Sequence, residues 1–103
     1  MLDAIDAIVR AALVALNDAN PVPRLHGPGL DELEDAYGFS RDLLSPAQWD
    51  DPTFVTLADV VDAAWPAIQC RRLGIDRSDA DTELAAAVER AQDFVARRRS
   101  TLN

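Results

Sequence analysis

The stretch LDAIDAIVRAALVALND, residues 2–18, carries a clear helical pattern. Its large apolar residues recur every three or four positions and fall within about 140° of one another on a helical wheel. They are Leu2, Ile5, Ile8, Val9, Ala12, Leu13 and Leu16. Asp3 and Asp6 lie in the first turns, where carboxylates complement the positive end of the helix dipole. The segment predicts an amphipathic helix that needs other helices to cover its apolar face.

A second stripe of small side chains runs beside the first along the same helix. It consists of Ala4, Ala7, Ala11 and Ala15. Small residues allow another helix to approach closely, so we expect neighbours on two sides of this helix. A homodimer through this alanine face, or through the C-terminal helix, is one arrangement that the pattern allows.

A second long helix is predicted over about 57–73, with Thr56 as its N-cap and Gly74 just past its end. Its apolar stripe consists of Leu57, Val60, Val61, Ala64, Trp65 and Ile68. Pro66 lies inside this pattern, but the periodicity continues in phase across it. We therefore predict one helix bent at Pro66.

A third long helix is predicted over about 79–99, beginning after Ser78, with Asp81 as the capping partner of that serine. Its stripe consists of Ala80, Leu84, Ala87, Val88, Ala91, Phe94 and Val95. Three arginines, at 97–99, close it at the negative end of the helix dipole. Overall charge opposes the alternative that they bind nucleic acid.

The region between the first two long helices is rich in helix breakers. Asn20 to Gly29 is predicted to be a loop, and short helical turns are expected between residues 30 and 51. One turn is predicted to end at Gly38 and Phe39, and another to begin at Ser45. No segment shows sustained period-two alternation. The prediction is an all-α, compact helical bundle forming a single domain over residues 1–103.

The chain has a net charge of −8, and the acidic excess lies in its first two-thirds. Such a field repels nucleic acid and anionic lipid and favours a basic partner protein. No apolar run reaches the length of a membrane span, and the start does not resemble a signal peptide. Together with the single cysteine, this predicts a soluble cytoplasmic protein. Basic residues that are all arginine suggest a GC-rich, bacterial genome.

His26 and Cys70 are the residues most able to carry chemistry. A small enzyme or metal protein would pair His26 with the carboxylate of Glu32 or Asp35. Cys70 precedes two arginines, which can activate a thiol, but the wheel places it opposite the apolar stripe. No phosphate-binding glycine loop, calcium loop or zinc-spaced ligand set occurs, so no cofactor or metal is expected.

The remaining candidates favour binding over catalysis. The leading hypothesis is a non-enzymatic protein–protein interaction module, accessory or regulatory, that presents an acidic face to a partner protein. An immunity or antitoxin-like inhibitor of a basic partner is a more specific version. Trp49 and Phe54, on either side of two aspartates, are candidate exposed anchors. The predicted partner-binding residues are His26, Asp31, Glu32, Glu34, Asp35, Trp49, Asp50 and Asp51.

Overall fold

A computed structural model of the chain describes residues 2–17, 28–44 and 51–102. Almost all of these residues belong to four α-helices, and none of them forms a strand. The helices are α1 (Leu2–Leu16), α2 (Pro28–Leu43), α3 (Pro52–Leu73) and α4 (Ser78–Leu102). The all-α prediction is confirmed, but with four long helices where three were expected.

The bundle is organised around α1 and α3. α1 packs against the other three helices, and α3 also packs against α2 and α4, so that α2 and α4 flank the central pair on opposite sides. The apolar stripes predicted for the first and last helices largely form the core. Fully buried side chains include Ile5, Ile8, Leu33, Leu57, Val60, Ile68 and Leu84.

Most of the alanine stripe of α1 is covered within the chain, although Ala7 is exposed. Ala4, Ala11 and Ala15 are buried, and Gly29 of α2 lies directly against the Ala15 backbone. A Cβ added at Gly29 would be 2.7 Å from Ala15 Cα, so the two helices meet where both lack bulk. The predicted close approach therefore occurs between α1 and α2. The core-facing residues of α4 are buried as well, and a homodimer stays a prediction.

The prediction of short turns between residues 30 and 51 is wrong for the part that the structure describes. α2 runs unbroken through Gly38 and Phe39 for 16 residues, and Pro28 and Gly29 belong to it rather than to a loop. A glycine inside a helix costs only about 0.5–1 kcal/mol. Burial of Leu30 and Leu33 against the core offsets that cost. Pro28 occupies the first helical position, which needs no N–H donor.

α3 begins earlier than predicted because Asp51, rather than Thr56, caps it. The Asp51 side chain accepts a hydrogen bond from the Thr53 N–H at 2.9 Å, and Pro52 follows at the first helical position. Thr56 lies inside the helix, where its hydroxyl donates to the Pro52 carbonyl at 2.8 Å. Phe54 is buried, so it is not the exposed anchor expected of it.

Two other predicted features of α3 are confirmed, its continuation across Pro66 and its end at Gly74. The bend predicted at Pro66 stays a prediction. The helix continues through Pro66. The proline is exposed, so the backbone position that lacks an N–H lies on the side of the helix away from the core. Gly74 ends it with φ of 66°, a left-handed conformation that favours glycine. Its N–H donates to the carbonyl of Cys70.

Arg71 forms a buried joint between three helices, which we call the Arg71 joint. Its guanidinium donates to both carboxylate oxygens of Asp81, at 2.7 and 3.1 Å, and to the carbonyls of Ala67 and Ala15, at 3.0 and 3.2 Å. Arg71 is only 6% exposed. Asp81 is therefore a partner of Arg71 on α4 and not the expected capping partner of Ser78.

The start of α4 is capped by a different aspartate. α4 begins at Ser78 as predicted, and the Asp76 carboxylate accepts hydrogen bonds from the Ser78 hydroxyl at 2.7 Å and its N–H at 2.9 Å. These bonds, the hydroxyl first, lower the pKa of Asp76. At the other end α4 continues to Leu102, and Arg99 there pairs with Asp6 of α1.

Candidate functional site

Half of the net charge of the chain lies on α2. This helix contains five carboxylate side chains and one arginine, a net charge of −4, whereas α3 has two of each sign. α2 is also a flanking helix, so one of its sides faces solvent along its whole length. An acidic helix on the outside of the bundle is the most distinctive charged surface in the described part of the chain.

The solvent-facing side of α2 combines carboxylates with apolar side chains. We call it the outer face of α2 and define it as Glu32, Asp35, Gly38, Phe39, Asp42 and Leu43. Phe39 is 60% exposed and Leu43 is 38% exposed. Residues spaced by three, four or seven positions share one side of a helix. Phe39 is therefore surrounded on the helix surface by three carboxylates and by Leu43.

The three carboxylates that define this face lack a cation partner in the part of the chain that the structure describes. Glu32, Asp35 and Asp42 are exposed and make no ion pair or side-chain hydrogen bond within the described residues. Asp31, which was also predicted as a binding residue, is exposed on the same side of the helix. The structure thus places three of the predicted acidic residues together, and adds Asp42 to them.

Glu34 does not belong to this surface. It turns towards α3, where its carboxylate accepts a hydrogen bond from Arg72 Nε at 2.7 Å and raises the pKa of that arginine. Asp51 serves as the N-cap of α3. The predicted residues His26, Trp49 and Asp50 lie outside the described residues, as does the turn expected to begin at Ser45.

Gly38 is unexplained by the fold itself. It lies in the middle of α2 with an ordinary negative φ, and a Cβ added there would meet nothing within 4 Å. Neither packing nor backbone conformation therefore requires glycine, although alanine would favour the helix. Its effect is to leave an open notch beside Phe39, where the backbone of α2 can be approached closely.

Trp65 lies on the neighbouring surface between α2 and α3. The prediction that it belongs to the core is wrong, because it is 44% exposed. It stacks on Tyr37 of α2, with ring centroids 5.3 Å apart and ring planes at 25°. The pair closes the outer seam between the two helices.

Two shallow grooves elsewhere each contain charges that already pair with each other. One, of about 380 Å³, lies between α1 and α4 and contains the Asp6–Arg99 pair. The other, of about 480 Å³, lies between α3 and α4, where Arg90 donates to both carboxylate oxygens of Asp59. Internal pairing makes these grooves weaker candidates for a charged ligand than α2.

Two features of the described residues concern the metal and thiol hypotheses. Among those residues, no group of three or more His, Cys, Asp or Glu side chains is placed to hold a metal ion. Cys70 is a half-buried free thiol. Across the same ranges, none of the helices is long and apolar enough to cross a membrane.

Sequence reasoning missed Gly38, Phe39, Asp42 and Leu43 as members of a site. The pair at 38–39 was interpreted as a helix end, which divided the outer face between two elements. A helical wheel drawn through the glycine places all six residues on one side. The signal was therefore present, but a local stop signal obscured it.

No protein-family model matches the chain, and neither the curated proteins nor the solved structures yield a significant match to it.

Proposed function

We propose that this protein is a non-enzymatic interaction module that binds a basic partner protein through the outer face of α2. The observation that carries the proposal is the exposed Phe39 among carboxylates that have no partner in the described part of the chain. Elsewhere, several arginines of the bundle are paired with acidic side chains, as in the Arg90–Asp59 and Arg72–Glu34 pairs.

Electrostatics favours a partner of opposite charge. Unpaired carboxylates on one helix produce a local negative field, which speeds encounter with a basic surface and is screened by salt. Exposed aromatic and aliphatic side chains at the centre of such a patch supply apolar contact once the partner is bound. The outer face of α2 offers both kinds of group within about three turns of helix.

An inhibitor of a basic enzyme, of the immunity or antitoxin type, is a narrower form of the same proposal. It differs only in what the partner does, and the outer face of α2 would serve it equally. Loss of the partner's activity in the complex would identify this form.

The test compares two variants with the same change in net charge. The acid-neutralised variant carries Glu32→Gln, Asp35→Asn and Asp42→Asn. The control variant carries Asp62→Asn, Glu83→Gln and Glu89→Gln, whose carboxylates are also exposed but lie on α3 and α4. Each is immobilised beside the wild-type chain, incubated with a lysate of the source cells and washed at increasing salt.

The expected result is a basic protein that the wild-type chain and the control variant retain and the acid-neutralised variant loses. It should elute as the salt concentration rises, because screening weakens the attraction between surface charges. Equal retention by the two variants, or retention that salt does not weaken, would contradict the proposal.

A further inference from the structure

The outer face of α2 specifies more about its partner than positive charge. Its apolar residues Phe39 and Leu43 are four positions apart, so they form a continuous apolar strip along the helix. Asp35 and Asp42 border the same strip at positions −4 and +3 from Phe39. The partner surface must therefore present apolar contact with cations beside it.

The notch at Gly38 indicates the shape of that partner. A missing side chain on an exposed helix lets another backbone element come close to it, and the fold gives no reason of its own for the glycine. From Glu32 to Leu43 the face extends over about 17 Å, at 1.5 Å per residue. A helix lying along α2 matches a face of this length.

We infer that the outer face of α2 docks a basic amphipathic helix, an inference that rests on the proposed function. Apolar residues of that helix contact Phe39 and Leu43, and its lysines or arginines lie against Glu32, Asp35 and Asp42. Gly38 provides the gap into which its backbone fits. Phe39 is the anchor of the contact, and the carboxylates set its orientation and its dependence on salt.

The probe is a synthetic helical peptide of leucine and lysine, about 16 residues long to match the face. A second peptide has the same lysines with serine in place of leucine. Binding to the full chain is measured by fluorescence anisotropy at low salt, and amide chemical shifts locate the contact. The proteins are the wild-type chain, the acid-neutralised and control variants defined above, Phe39→Ser, Gly38→Ala and Val55→Ser.

Val55→Ser is the matched control for Phe39→Ser, because Val55 is 53% exposed but lies on α3. We expect Phe39→Ser and the acid-neutralised variant each to weaken binding by about tenfold or more, and the two controls by less than about twofold. Gly38→Ala should weaken binding and at the same time raise the denaturation midpoint. A variant that bound less because it was unfolded would have a lower midpoint, so the two effects can be distinguished. The serine peptide should bind far more weakly than the leucine peptide.

Two results overturn the inference in distinguishable ways. If Phe39→Ser binds like Val55→Ser while the acid-neutralised variant fails, the face recognises charge alone, and only the inference is lost. If the acid-neutralised variant binds as well as its control, the outer face of α2 is not the docking surface, and the proposed function is lost with it.

Discussion

At the Arg71 joint the guanidinium is 6% exposed and makes four hydrogen bonds, whereas on the outer face of α2 three carboxylates face solvent without an ion pair in the described part of the chain. Both regions place charge on helices of one small bundle. At the joint both terminal nitrogens of Arg71 donate to acceptors of the same chain. On the outer face, by contrast, the acceptors are directed outwards.

The difference separates charge that holds the fold together from charge that is available to a partner. A buried guanidinium needs partners within the protein. Removing one member of a buried pair is destabilising because the other member stays buried without a partner. Exposed carboxylates contribute little to stability because water solvates them and salt screens them. Substitutions in the two regions should therefore affect different measurements.

The largest effect is expected at the Arg71 joint. Arg71→Leu removes the link between α1, α3 and α4, leaves the Ala15 carbonyl without its donor and leaves Asp81 with only its ion pair to Arg77. We expect it to lower the free energy of unfolding by about 2–4 kcal/mol, measured by urea denaturation. Arg72→Leu is the control, because its pair with Glu34 is exposed and should shift the midpoint little. Equal shifts for the two variants would show that the joint is not a special support of the fold.

The two glycines of α2 extend the comparison between the interior and the outer face. Gly29 is buried against α1, whereas Gly38 lies on the outer face with open space beside it. Gly29→Ala places a methyl group 2.7 Å from Ala15 Cα, so α1 and α2 must move apart. We expect a loss of about 1–3 kcal/mol in the free energy of unfolding. A stability equal to that of the wild-type chain would mean that the two helices do not meet as closely as described.

Gly38→Ala should stabilise the fold, whereas Gly29→Ala should destabilise it. Its new methyl group meets nothing, and alanine reduces the entropy cost of forming the helix. The free energy of unfolding should therefore rise by about 0.5–1 kcal/mol in the same denaturation experiment. Destabilisation at Gly38 would show that the notch has a structural role and would remove the reason to connect it with a partner.

The smallest effect concerns Asp76, an exposed carboxylate that is nevertheless used within the chain. Its pKa is lowered by the hydrogen bonds from Ser78, so it stabilises the folded state above the pKa of an unfolded aspartate, about 3.9. That contribution is lost as the pH falls through the lower pKa of the folded state. Asp76→Ala should thus be slightly destabilising at pH 7 and indistinguishable from the wild-type chain in strong acid. A side-chain NMR titration giving an ordinary pKa would contradict this.

The helices that the sequence predicts best are those with an uninterrupted apolar stripe. Residues 2–16 form α1 almost as expected, and α4 begins at Ser78, because local periodicity there agrees with burial. α2 was missed because Gly38 resembles a helix end. Its continuation depends on contacts with α1 and α3 that are distant in sequence, and these outweigh a local cost of about 1 kcal/mol.

In the candidate site too, some features follow from the local sequence and others depend on contacts that are distant in sequence. Its acidity is a property of composition, and Asp31, Glu32 and Asp35 could be named from sequence because they are close together along the chain. Asp42 and Phe39 join them only when the helix is continuous. Glu34 leaves them because it meets Arg72, 38 positions away.

The sequence by itself determined that this protein is all-α and acidic, because helical periodicity and charge are local properties. Only the tertiary structure decided which charges face each other. In the sequence, Arg71 is one of several arginines near a helix end. Its burial follows only from the packing of α1, α3 and α4 around it. The outer face of α2 looked like two fragments until burial on its other side made them one helix, since burial depends on parts of the chain that are far apart in sequence.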